Sequence, residues 1–109
     1  MPERIRFMRI IVMFDLPTQS SGDKRQYRQF RKYLTKNGYI MLQESVYSRL
    51  TISEKAVPGL LKDLKDHKPE AGSVAALTIT ERQYANIEYI CGDKFGGEYI
   101  DSTEAVVFL

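Results

Sequence analysis

With one cysteine, Cys91, in 109 residues, the chain can form no internal disulfide and no zinc site built from several thiolates. One histidine, His67, likewise excludes the paired imidazoles of a helical metal-binding motif. Long apolar runs are missing too: runs such as Ile10 to Phe14 fall far short of a membrane span. Met1 to Arg6 carries charges without an apolar stretch, so no secretory signal and no membrane partner are expected. A lone thiol in a chain without these signals predicts a reducing, cytoplasmic home. Repeats, low-complexity tracts and interdomain linkers are absent.

What is present fits one globular domain: 43% hydrophobic and 28% charged residues in a length that supports a single core. The net charge is only +2, but it is unevenly spread. Residues 1–50 hold ten Lys/Arg against four Asp/Glu, whereas residues 51–109 hold six against ten, so the halves carry +6 and −4. Such asymmetry steers a polyanion toward one surface and keeps the whole molecule soluble.

The pattern predicts a first strand over Phe7 to Asp15, with Met8, Ile10, Val12 and Phe14 on one face and Ile11 and Met13 on the other. Both faces are apolar, which suits a central strand covered on both sides. Ser20 or Ser21 is placed to cap a helix over about Asp23 to Asn37, ending at Gly38. Tyr27, Phe30 and Leu34 form its apolar stripe. At about 100° per residue, Arg25, Arg28, Lys32 and Lys36 fall opposite that stripe, with Lys24 and Arg31 at its flanks and Asp23 as the only acid.

Tyr39 to Ile52 reads as two strands with a break near Glu44-Ser45, or as one long bent strand. Ser53 can cap a second helix that ends near His67, with Pro58 in its first turn and Val57, Leu60, Leu61 and Leu64 as its core stripe. Lys68 to Gly72 breaks the chain. Ser73 to Thr80 is a further strand, Glu81 to Ala85 a turn or short helix, and Asn86 to Cys91 a fifth strand. Cys91 is expected to pack as a small apolar residue. A loop containing Gly96-Gly97 leads to a last apolar segment, Ala105 to Leu109.

The order β-α-β-β-α-β predicts an α+β, ferredoxin-like fold with two helices on one face of an antiparallel sheet and extra C-terminal strand. Residues 1–92 would form this core and residues 93–109 a C-terminal extension. The other sheet face then needs a cover, and a second copy packed sheet to sheet makes a homodimer the expectation.

Taken in order, several segments resemble the CRISPR-associated Cas-two family, in particular its type II-A branch. They are Ile10-Ile11-Val12-Met13-Phe14-Asp15-Leu16-Pro17, Arg28-Gln29-Phe30-Arg31-Lys32-Tyr33-Leu34 with Gly38, and Gln43-Glu44-Ser45-Val46-Tyr47-Ser48. Thr78-Ile79-Thr80-Glu81-Arg82-Gln83 and the ending Val106-Val107-Phe108-Leu109 complete the set. The resemblance implies a ferredoxin-like homodimer that bridges two dimers of an integrase subunit, Cas-one, in capturing DNA and inserting it as new spacers. It also implies a magnesium-dependent nuclease with Asp15 as the Mg2+ ligand and catalytic residue. Val106, Val107, Phe108 and Leu109 would dock on the integrase, as exposed strand edges can by strand addition.

Each candidate has a plainer reading. Asp15 before Leu-Pro-Thr can accept backbone N–H bonds and start a turn. Magnesium wants one or two carboxylates plus waters and phosphate, so one acid per chain is thin unless a two-fold axis pairs both copies of Asp15. A two-metal mechanism, with ions roughly 3.5–4 Å apart on shared ligands, is poorly supported. The stripe Arg25-Arg28-Lys32-Lys36 could be a solvated helix face, but ordinary faces mix signs, as Lys62, Asp63, Lys65 and Asp66 do. Contact with double-stranded DNA phosphates is the better reading, with Lys24, Arg31 and, from the resemblance, Arg82 as further contacts. His67 suits a helix C-terminus and has no catalytic role. An RNA-binding module of the same topology stacks bases on strand aromatics, and Ser73 to Thr80 contains none.

Overall fold

A computed structural model describes residues 6–92. Four strands form one antiparallel sheet in the order β2-β3-β1-β4: β1 Met8–Asp15, β2 Ile40–Gln43, β3 Val46–Thr51 and β4 Ser73–Thr80. Helix α1 (Ser21–Lys36) follows β1, α2 (Val57–Asp66) follows β3, and the short α3 (Glu81–Ala85) follows β4. This is the expected ferredoxin-like arrangement.

The alternation along β1 decides the layers. Ile10, Val12 and Phe14 are buried with Phe30 and Leu34 of α1 and Leu64 of α2, so both helices lie on one sheet face. Phe14 anchors α1 directly, its ring 5.2 Å from Phe30 edge-on and 5.9 Å from Tyr27. Pairing registers put Met13, Leu50, Leu77 and Ile40 on the opposite face, each at least 38% exposed. Helix α3 reaches that face at its Arg9 corner. There Arg9 donates to both carboxylate oxygens of Glu81, at 2.7 and 3.2 Å, and lies 4.1 Å from the Tyr84 ring centroid.

Local chemistry sets the boundaries. Ser20 Oγ accepts from Asp23 N–H at 3.0 Å, and Asp23 Oδ2 accepts from Ser20 N–H at 3.1 Å, a reciprocal cap that starts α1 two residues before the expected Asp23. Its other end is closed by Arg49, which donates to the Asn37 carbonyl at 2.7 Å, and by Gly38 at φ +90°. The β2–β3 break falls at the expected Glu44-Ser45, with Ser45 at φ +67°.

Three expectations are corrected. Asn86 to Cys91 is not a strand: Asn86 closes α3, no strand among the described residues pairs with those after it, and Ile90 is 90% exposed. Apolar alternation alone cannot make a strand where no ladder partner is in register. Cys91, off the sheet for the same reason, is exposed rather than packed. Ser53 caps a single 3-10 turn, Glu54–Ala56, and α2 begins only at Val57, where Pro58 fits because the first turn needs no N–H from it. The expected extension 93–109, with Val106 to Leu109, lies outside the described residues.

Candidate nucleic-acid interface and metal-ligating carboxylate

Helix α1 turns Tyr27, Phe30, Tyr33 and Leu34 toward the sheet, so its remaining side chains must face outward. Lys24, Arg25, Arg28, Arg31, Lys32 and Lys36 are all exposed. Asp23, the one acid on the helix, is committed to the N-terminal cap and balances none of them. No ion pair joins Lys24, Arg25, Arg28, Lys32 or Lys36 to a carboxylate among the described residues. Arg28, Arg31 and Lys32 come together with Thr35 around one shallow hollow.

Arg31 is held differently from its neighbours. Its Nε donates to the Tyr47 hydroxyl at 3.3 Å, and its guanidinium lies 5.9 Å from the Tyr27 ring centroid. It is tied to the sheet by one edge, whereas the other stripe cations are untethered. Arg82 stands apart on α3, exposed, and no described hydrogen bond or ion pair links it to α1.

Asp15 ends β1 opposite Ser73 of β4 and is exposed. Its carboxylate accepts no hydrogen bond among the described residues, so it does not start the turn that a local role would require. Its backbone, in contrast, is tightly fixed. Phe14 N–H, one residue earlier, donates to the Ser45 carbonyl at 3.0 Å. Gly72, at φ +94°, lies so close that a Cβ there would come within 2.6 Å of the Asp15 carbonyl oxygen. Gly72 and Ser45 are positioning residues that sequence reasoning missed. Gly after Lys-Pro-Glu-Ala was legible as a chain break, but not as a contact with β1.

Among the described residues no group of three or more His, Cys, Asp or Glu side chains could hold a metal ion. Asp15 of one chain supplies one carboxylate, the minimum for magnesium and less than a closed protein site needs.

Away from Asp15, α1 and α2 are clasped by polar side chains. The Tyr33 hydroxyl donates to Asp63 Oδ2, and the His67 ring stacks on Tyr33 with centroids 4.4 Å apart. Burial first, then the hydrogen bond to Asp63 and that carboxylate's charge, push the Tyr33 phenol well above its ordinary range, so it stays a neutral donor.

Fold and surface together define a small ferredoxin-like protein with one helix presented as an unbalanced cationic face. The family model for CRISPR associated protein Cas2 matches residues 8–87, and the chain belongs to that family. It is 43% identical to the CRISPR-associated endoribonuclease Cas2 of Treponema denticola over 102 residues, covering 94% of this chain and all of that protein. The protein of the same name from Streptococcus mutans serotype c is 39% identical over 94% of this chain and 93% of its own length. That of Ligilactobacillus salivarius is 36% identical over 94% of this chain and its whole length. Among the described residues no helix is long and apolar enough to cross a membrane.

Proposed function

We propose that the chain serves CRISPR adaptation in the cytoplasm as a homodimer that lies on double-stranded DNA and bridges two dimers of the integrase subunit, Cas-one. The observation that carries this reading is the set of unpaired, exposed cations Arg25, Arg28, Lys32 and Lys36 on α1. Phosphate contacts of this kind position a duplex without reading its sequence. Lys24 and Arg31 extend the same surface, and Arg82, apart from it on α3, would be a separate phosphate contact. The sheet face carrying the exposed Met13, Ile40, Leu50 and Leu77 supports pairing with a second copy, because apolar side chains left exposed together on one face favour burial against a partner. Val106, Val107, Phe108 and Leu109 dock on the integrase by strand addition.

The test is spacer integration in a reconstituted reaction with the integrase, with and without this protein and with Asp15→Ala. Integration that requires the protein and tolerates the substitution supports the bridging role; integration that proceeds equally without the protein overturns it. Light scattering at micromolar concentration checks the dimer, and a stable monomer would remove the pairing.

A second reading, a magnesium-dependent endonuclease acting on RNA or DNA, is supported by the relatives' name and by the exposed, unpartnered Asp15 carboxylate. Two copies of Asp15 brought together across the dimer axis would give Mg2+ two carboxylates and leave its remaining positions to water and phosphate. Bound there, the ion would neutralise phosphate charge and lower the pKa of a water. Cleavage abolished by EDTA and by Asp15→Ala favours this reading, whereas cleavage that survives both belongs to a contaminant.

A further inference from the structure

Beside the cationic stripe, α1 and α2 enclose a shallow basin lined by Gln29, Lys32, Lys36, Asn37, Asp63 and His67, with the Tyr33 ring against its wall. Lys32 and Lys36 enter it without carboxylate partners. His67 sits at the C-terminal end of α2, where the helix dipole favours positive charge. Its ring is fixed in plane by the stack on Tyr33 and by Nδ1, which lies 2.9 Å from the Asp63 carbonyl and 3.5 Å from Asp63 Oδ1. Nε2 is the ring nitrogen that no described group engages.

We propose that this basin seats a backbone phosphate of the duplex, with Lys32 and Lys36 as two of its cations and the imidazolium of His67, through Nε2–H, as the third. The proposal rests on the reading of α1 as a DNA surface and carries the footprint from α1 onto the end of α2. It makes DNA affinity depend on pH through one side chain. Asp63, on its own helix, faces the ring with Oδ1 3.5 Å from Nδ1. Tyr33 of α1 is a neutral donor already given to Asp63. Lys32 and Lys36 of α1 line the same basin, and a phosphodiester monoanion seated there would be shared among their ammonium groups and the imidazolium. Arg49 of β3 is committed to the Asn37 carbonyl, and Lys68 follows His67 in the chain. Because the chain holds one histidine, no other imidazole can produce the effect.

Fluorescence anisotropy of the full chain on a mixed-sequence duplex, over a salt series at about pH 6 and about pH 8, tests the proposal. For wild type, the slope of log affinity against log salt should be steeper by about one at the lower pH, the signature of one added phosphate contact. His67→Gln should match wild type at the higher pH and lose the added slope at the lower. His67→Lys should bind with the steeper slope at both. A wild-type slope that does not change with pH, or a pH dependence that persists in His67→Gln, overturns the proposal, and the wild-type series alone decides the matter should a variant misfold. If Arg25→Ala/Arg28→Ala binds as tightly as wild type, the DNA surface on α1 falls and this extension with it. If that variant weakens binding while the His67 results fail, only the extension falls.

Discussion

Helices α1 and α2 do the same packing job on the same sheet face, yet they present opposite kinds of surface. Each buries a leucine in the core that holds Ile10 and Val12, Leu34 in one case and Leu64 in the other. On α2, lysines and aspartates alternate, and Lys62 pairs with Asp66 at 3.0 Å. On α1, Lys24, Arg28, Lys32 and Lys36 stack at intervals of four with no acid between them. Like charges at that spacing destabilise a helix by about 0.2–0.5 kcal/mol per pair. Packing does not need those charges, as α2 demonstrates, so the face of α1 is best explained by something outside the chain.

The largest expected effect therefore separates the two helices in binding. Replacing Arg25, Arg28, Lys32 and Lys36 by Ala should flatten the salt slope of duplex binding by about four and weaken binding roughly a thousandfold near physiological salt. The same replacement at Lys62 of α2 should leave the slope unchanged. Equal effects from both helices, read by anisotropy titration, would erase the comparison.

In stability the two helices should instead behave alike. Leu34→Ala and Leu64→Ala each remove a buried side chain from one shared core, at an expected cost of about 2–5 kcal/mol, with Leu34, fully buried, toward the upper end. Urea denaturation measures both. A loss below about 1 kcal/mol at Leu64 would mean that α2 is the looser layer and that the shared-core description fails.

The end of α1 gives a smaller, sharper contrast. Ser20→Ala should cost about 1 kcal/mol, because it removes the acceptor for Asp23 N–H and frees the only acid on the helix. Helix α2 has no equivalent lever, since Ala56 at its N-terminus makes no side-chain cap. Thermal melts of Ser20→Ala beside Ser53→Ala separate a helix cap from the cap of one 3-10 turn.

How much of this was legible depends on distance along the chain. Ser73 to Thr80 is readable residue for residue, because a Pro-Glu-Ala-Gly break precedes it and a turn or short helix follows it. The face of α1 followed from angular arithmetic alone. The failures share one cause. Asn86 to Cys91 has a strand-like pattern, but a strand exists only where another ladder accepts it, and Cys91 was misjudged with it. Gly72 beside Asp15, Arg9 against Glu81 and Tyr84, and Tyr33 with Asp63 and His67 join segments far apart in sequence. Such pairings are set by topology, and no local pattern announces them.

The smallest expected effect is the one that tests whether the Lys62–Asp66 pair of α2, as distinct from His67 at the helix end, is as inert as its balanced charge implies. Lys62 and Asp66 are both well exposed, at 76% and 57% for their side chains, so water screens their attraction. Lys62→Ala should cost no more than about 0.5 kcal/mol, and the double replacement with Asp66→Ala should cost no more than the single one, since the pair's energy is lost at the first step. A double-mutant cycle in urea reads the coupling directly. A coupling well above that range would mean that the pair orients the end of α2, and with it His67. The contrast between a working face on α1 and a merely solvated Lys62–Asp66 pair on α2 would then no longer stand.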